Sequence, residues 1–86
     1  MPSLTQPTPA DTRNIIRAIP SDRAAAAFVA EQLRRTGDPG MADEADALIV
    51  AIREWNADSA EEYGVETARD LVLASLDTLE RFDSGR

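Results

Sequence analysis

Residues 41–56 read MADEADALIVAIREWN, and the placement of this stretch decides the fold. At 100° per residue, Met41, Ala45, Leu48, Ile52 and Trp55 fall within a sector of roughly 80°, with Ile49 at its edge. Asp43, Asp46, Arg53 and Glu54 fall on the other side. That is an amphipathic helix with one face in a core, and Trp55 is expected to be largely buried. Residues 67–82, TARDLVLASLDTLERF, carry a matching stripe of Ala68, Leu71, Val72, Ser75, Leu76, Leu79 and Phe82. They are predicted to be helical and to be the main partner of the central helix.

Upstream, Asp38-Pro39 reads as cap and first residue of the central helix, and Gly37 as the left-handed residue that stops the helix before it. That preceding helix should start after the cap Ser21 and run from Asp22 to about Thr36. Its expected buried face is Ala25, Phe28, Val29, Gln32 and Leu33. A loop this short makes the two helices antiparallel neighbours.

Residues 1–8, MPSLTQPT, have two Pro and no periodicity and read as a mobile tail. Thr8, Pro9 and Asp11 then supply a cap, a first residue and an acid for a short helix, with Ile15, Ile16 and Ile19 on one side and Pro20 ending it. The alternation Arg13, Ile15, Arg17, Ile19 also suits a strand. Helix is preferred, because the cap signal is good and this chain holds no second strand to pair with.

Downstream, Ser59 with Glu62 and Thr67 with Asp70 both have capping-box spacing. Gly64 lies between them and costs about 1 kcal/mol in a helix interior, so a short helix, a break and a last helix are expected. The fold class is therefore all-α, a small bundle or orthogonal helical domain of three main helices plus one or two short ones. The organisation is a tail (1–8), a single helical domain (9–83) and a frayed end (84–86).

The chain has 86 residues, of which 43% are apolar, but fifteen of those are Ala. The core is therefore thin, and self-association into a homodimer is a natural way to complete it. There is no Cys and no His, so disulfides, the commonest general base and the commonest transition-metal ligand are missing. The N-terminus has neither the basic region nor the apolar run of a signal peptide, no apolar run approaches the ~20 residues of a membrane span, and a cytoplasmic location is expected. Net charge is −7, unevenly placed. Residues 1–36 hold five Arg against Asp11, Asp22 and Glu31, a net +2; residues 37–86 hold four Arg against thirteen acids, a net −9. Asymmetry of this kind marks binding surfaces, although surplus acid also serves solubility alone.

Site chemistry is sparse. Asp43, Glu44 and Asp46 crowd the start of the central helix, but metal-binding helical bundles also need His, so no metal or cofactor is expected. Tyr63 and Ser59 lack a base to activate them, and GDPG at 37–40 is not a phosphate loop. An enzyme is not expected. Val50 sits opposite the core stripe of the central helix and Leu73 off the main stripe of the last. If both are exposed, they form an apolar centre with a charged rim. The candidate partner-binding residues are Asp43, Asp46, Val50, Glu54 and Leu73.

The order RNIIRAI, Pro20, AAAAFVAEQLRRTG and a second helix ending AIREW resembles the ribbon-helix-helix group of DNA-binding repressors and antitoxins, over roughly residues 13–55. The resemblance implies a dimer that pairs N-terminal strands in the major groove. Either Arg13, Ile15 and Arg17 or Asn14, Ile16 and Ala18 would then face DNA. GDPG departs from that pattern, which has a shorter turn leading to Ser or Thr. Two functions are thus expected in order. The first is a non-enzymatic regulatory module that meets a basic protein partner, with an inhibitor of a nucleic-acid-binding surface as a special case. The alternative is a DNA-binding antitoxin or repressor, using Arg13, Asn14 and Arg17.

Overall fold

A computed structural model describes residues 9–85. They form five helices: α1 Pro9–Arg17, α2 Asp22–Arg35, α3 Pro39–Arg53, α4 Ser59–Tyr63 and α5 Ala68–Ser84. No strand is present among the described residues, and three long helices with two short ones make a small all-α bundle. The tail and the Thr8 cap expected at residues 1–8 lie outside the described residues, as does Arg86. Helix α5 runs through Ser84, one residue into the end expected to fray.

The helix ends follow local chemistry. Ser21 accepts from the Ala24 N–H at 3.2 Å, and Asp38 from the Met41 N–H at 3.0 Å with Pro39 in the first turn. Thr67 and Asp70 form the expected reciprocal box, at 3.1 and 3.2 Å. Gly64, at φ +71°, stops α4 in a Schellman motif, with Gly64 N–H donating to Glu61 O and Val65 N–H to Ala60 O. One expected box does not form. Ser59 is buried, and its hydroxyl accepts from the Asn56 N–H at 2.9 Å, so it braces the loop instead of capping α4. The residue before α4 is Asp58, which makes no side-chain cap bond.

Helices α2 and α3 form an antiparallel hairpin, and α3 packs more extensively on α2 than on α5. This corrects the expected pairing. The reason is the small-residue flank of α2. Ala25, Ala26, Val29, Ala30 and Leu33 are buried, whereas Phe28 and Gln32 are only half-buried. Ala26 and Ala30 carry no bulk, so α3 can approach closely there. On α3, Ala45, Leu48, Ala51 and Ile52 are buried, and Met41, Ile49 and Trp55 are partly covered. Val72, Ser75, Leu76 and Leu79 form the buried line of α5.

Helix α1 closes the other flank of α5. Its buried line is Thr12 and Ile16 with Ile19 half-covered, while Ile15 is 38% exposed. The expected grouping of Ile15 with Ile16 and Ile19 is thus corrected. Position 15 lies at the edge of the sector that holds 12, 16 and 19, on the side away from 16, and that edge is open to solvent. Arg69 holds the C-terminal end of α1. Its guanidinium donates to Ile16 O at 2.8 Å, Ile19 O at 2.7 Å and Pro20 O at 3.2 Å, and to Asp22 Oδ1 at 2.9 Å. Arg13 pins the middle of α1 to α5, donating to Asp77 at 2.8 Å and to Glu80.

That pair has a pH signature. The hydrogen bond from Arg13 holds the Asp77 carboxyl below the usual carboxylate range, and the same two acceptors raise the Arg13 guanidinium further. A folded pKa below the unfolded value of about 3.9 adds stability above that pH, lost as pH falls through the lowered value. Asp77 is half exposed, so solvent screens the effect. Arg13→Ala should lower stability at neutral pH and flatten the decline below about pH 4. Urea unfolding at a series of pH values checks this; identical acid limbs would refute the pairing.

Candidate functional site

The predicted surface residues are not brought together. Leu73 lies on one flank of α5 with Arg69, Asp77 and Glu80, spaced by whole turns, and those three hold α1. Leu73 is therefore half-buried against the core and is not part of an open patch. The flank facing α3 is marked by Ser75, whose hydroxyl donates to Glu44 at 3.4 Å. Val50 points from α3 away from the core and is 41% exposed. Asp46 is exposed but bonded to Arg34 at 2.7 Å, while Asp43 and Glu54 are exposed. No group of three or more His, Cys, Asp or Glu that could hold a metal is present among the described residues.

The residues tied to the DNA-binding alternative sit on a helix. The strand reading of 13–19 is corrected, because α1 continues to Arg17 and its backbone N–H groups donate within the segment, as at Ala18 N–H to Ile15 O and Ile19 N–H to Ile16 O. Arg13 is committed to α5, and Asn14 and Arg17 are exposed.

Sequence reading did not single out the corner that joins α3 to α5. Trp55 lies just past the end of α3 and packs against the core, as expected, while part of its ring stays uncovered by the core. Its ring stacks on Tyr63, with centroids 6.1 Å apart and planes within 14°, and Tyr63 is 44% exposed. The turn closed by the Ser59 N–H on Asn56 O and by the Asn56 N–H on the Ser59 hydroxyl lies between the two rings and brings Tyr63 back onto Trp55. The same segment carries Glu54, Asp58, Glu61, Glu62 and Glu66 and no basic residue. All five are exposed, and none forms an ion pair with an Arg among the described residues. The signal was available as a base-free acidic run that contains both Trp55 and Tyr63. The stacking was not, because it depends on the turn.

Several acids elsewhere are used internally. Arg13–Asp77, Arg13–Glu80, Arg34–Asp46 and Arg69–Asp22 each join the basic first part of the chain to the acidic second part. Part of the charge asymmetry therefore serves the fold, and the unneutralised remainder includes the 54–66 corner. No helix of the described residues is long and apolar enough to cross a membrane. No protein-family model, no curated protein and no solved structure matches this chain.

The stacking has a direct readout. Tyr63→Ala should uncover one face of the indole, shift Trp55 emission to the red and raise quenching by acrylamide about twofold. An unchanged quenching constant would mean that the two rings do not meet in solution.

Proposed function

We propose that this chain is a non-enzymatic interaction module that binds a basic surface on a partner protein through the 54–66 corner. The observation that carries this reading is the exposed Tyr63 stacked on Trp55, within a segment with no base and five carboxylates that form no ion pair among the described residues. Aromatic faces and carboxylates both attract guanidinium and ammonium groups, so the corner suits an Arg- or Lys-bearing surface. Glu54 belongs to the predicted set, and Val50, one turn before it, adds apolar area. The nucleic-acid-binding groove of a partner is one such surface, and the chain would then act as its inhibitor.

The test starts with affinity capture from nuclease-treated lysate and proceeds to binding kinetics on the recovered protein. Opposite charges steer encounter, so association should slow steeply as salt rises while dissociation changes less. Glu61→Arg with Glu62→Arg should slow association about tenfold without unfolding the domain, since both side chains are exposed. Competition by a DNA duplex would identify the groove-inhibitor case. Association that ignores both salt and the charge reversals would overturn this surface, and direct binding of a duplex by the chain itself would favour the repressor reading.

A further inference from the structure

An open groove of about 220 Å³ runs between the start of α2 and the end of α3. Ala26, Ala27, Ile49 and Ile52 line it, with Arg23 and Arg53 from its two sides. The chain has sixteen acids, yet neither guanidinium forms an ion pair among the described residues. An apolar cleft between two guanidiniums is complementary to an apolar side chain flanked by carboxylates. An apolar cavity of about 150 Å³ holds a benzene ring, so one aromatic side chain fits this space.

We propose that the groove receives α4 of a second copy of this chain, with Tyr63 over the apolar floor and Glu61 and Glu62 against Arg53 and Arg23. The exposed large hydrophobic side chains among the described residues are Ile15, Val50 and Tyr63. Tyr63 alone of these directly follows two acids, and neither is paired. Groove and donor lie at the same end of the molecule, because α3 stops at Arg53 and α4 begins at Ser59. A two-fold axis at that end gives each groove the other copy's α4, so the contact closes as a dimer and does not propagate. The contact is small, and the dimer forms only at roughly 0.1 mM chain. This inference rests on the corner being a cation-binding surface, and it makes dimerisation and basic-partner binding compete for Glu61 and Glu62.

Sedimentation equilibrium of the full chain, from about 10 µM to about 1 mM at low salt, tests it. The parent should dimerise. Arg23→Glu with Arg53→Glu, and separately Glu61→Arg with Glu62→Arg, should each weaken the dimer at least about tenfold. The variant carrying all four changes, in which two reversals of each sign restore the net charge of −7, should dimerise again. All four positions are exposed, and circular dichroism verifies that each variant stays folded. A parent that is monomeric throughout, a dimer that survives either pair of reversals, or a folded fourfold variant that stays monomeric would each overturn the proposal. The two readings separate cleanly. The Arg23→Glu, Arg53→Glu variant should lose the dimer and keep basic-partner binding, and a monomeric parent that still binds that partner removes only the present inference.

Discussion

Leu76→Ala should lower the unfolding free energy by about 3–5 kcal/mol, and Leu33→Ala should do nearly as much. Both side chains are fully buried and belong to the one core cluster that α2, α3 and α5 share. Truncation removes three carbons of buried apolar surface and leaves a void that the ring of helices cannot close without moving all of them. Small domains hold only a few kcal/mol of net stability, so either change should leave much of the chain unfolded at 37 °C, the usual ~310 K. Val50→Ala should cost under about 0.5 kcal/mol, because Val50 faces solvent. Chemical denaturation followed by circular dichroism measures all three. A Leu76→Ala protein as stable as its parent would mean that α5 does not pack on the α2–α3 hairpin as described.

Arg69→Ala should cost about 2–3 kcal/mol and should loosen α1 selectively. This guanidinium donates four hydrogen bonds, three of them to carbonyls at and after the C-terminal end of α1. Ile16 O accepts besides only from the Ile19 N–H, the carbonyls of Ile19 and Pro20 lie past the helix, and the end of a helix carries partial negative charge, so a cation there is favourable. Removing it also frees Asp22 at the start of α2. Arg69→Lys should recover only a small part of the loss, because an ammonium is a point donor and cannot span carbonyls on both sides of a planar fork. Hydrogen exchange gives the specific signature. Amides of α1 should exchange faster in both variants, while those of α3 keep most of their protection. Uniform acceleration across the chain would show that Arg69 contributes to global stability without acting as the latch of α1.

These two results probe different kinds of information. The ends of the helices are set by residues close in sequence. Ser21, Asp38 and Thr67 satisfy orphan N–H groups three positions on, and Gly37 and Gly64 supply left-handed backbone. Each of these choices is complete within a single turn, so it can be read without knowing what the helix packs against. Ser59 shows where that reading stops. The same spacing that signals a cap becomes a buried loop brace once α3 and α5 fix the chain on either side.

The amphipathic stripes of residues 41–56 and 67–82, the caps and the break at Gly64 were determined by the sequence alone, and they sufficed for an all-α bundle. Which flank of each helix is covered was decided only by tertiary structure. Ala26 and Ala30 are buried although Ala adds little to any hydropathy pattern, because a small side chain admits the closest neighbour. Leu73 is covered because α1 is latched across its flank by Arg13 and Arg69, contacts 64 and 53 residues apart in sequence. Trp55 packs on the edge of the core and also meets Tyr63, because α3 ends just before it and the chain turns back at Asn56–Ser59. A helix has two flanks beside its apolar stripe, and periodicity is blind to which of them a neighbour will occupy; only the positions of the other helices make that choice.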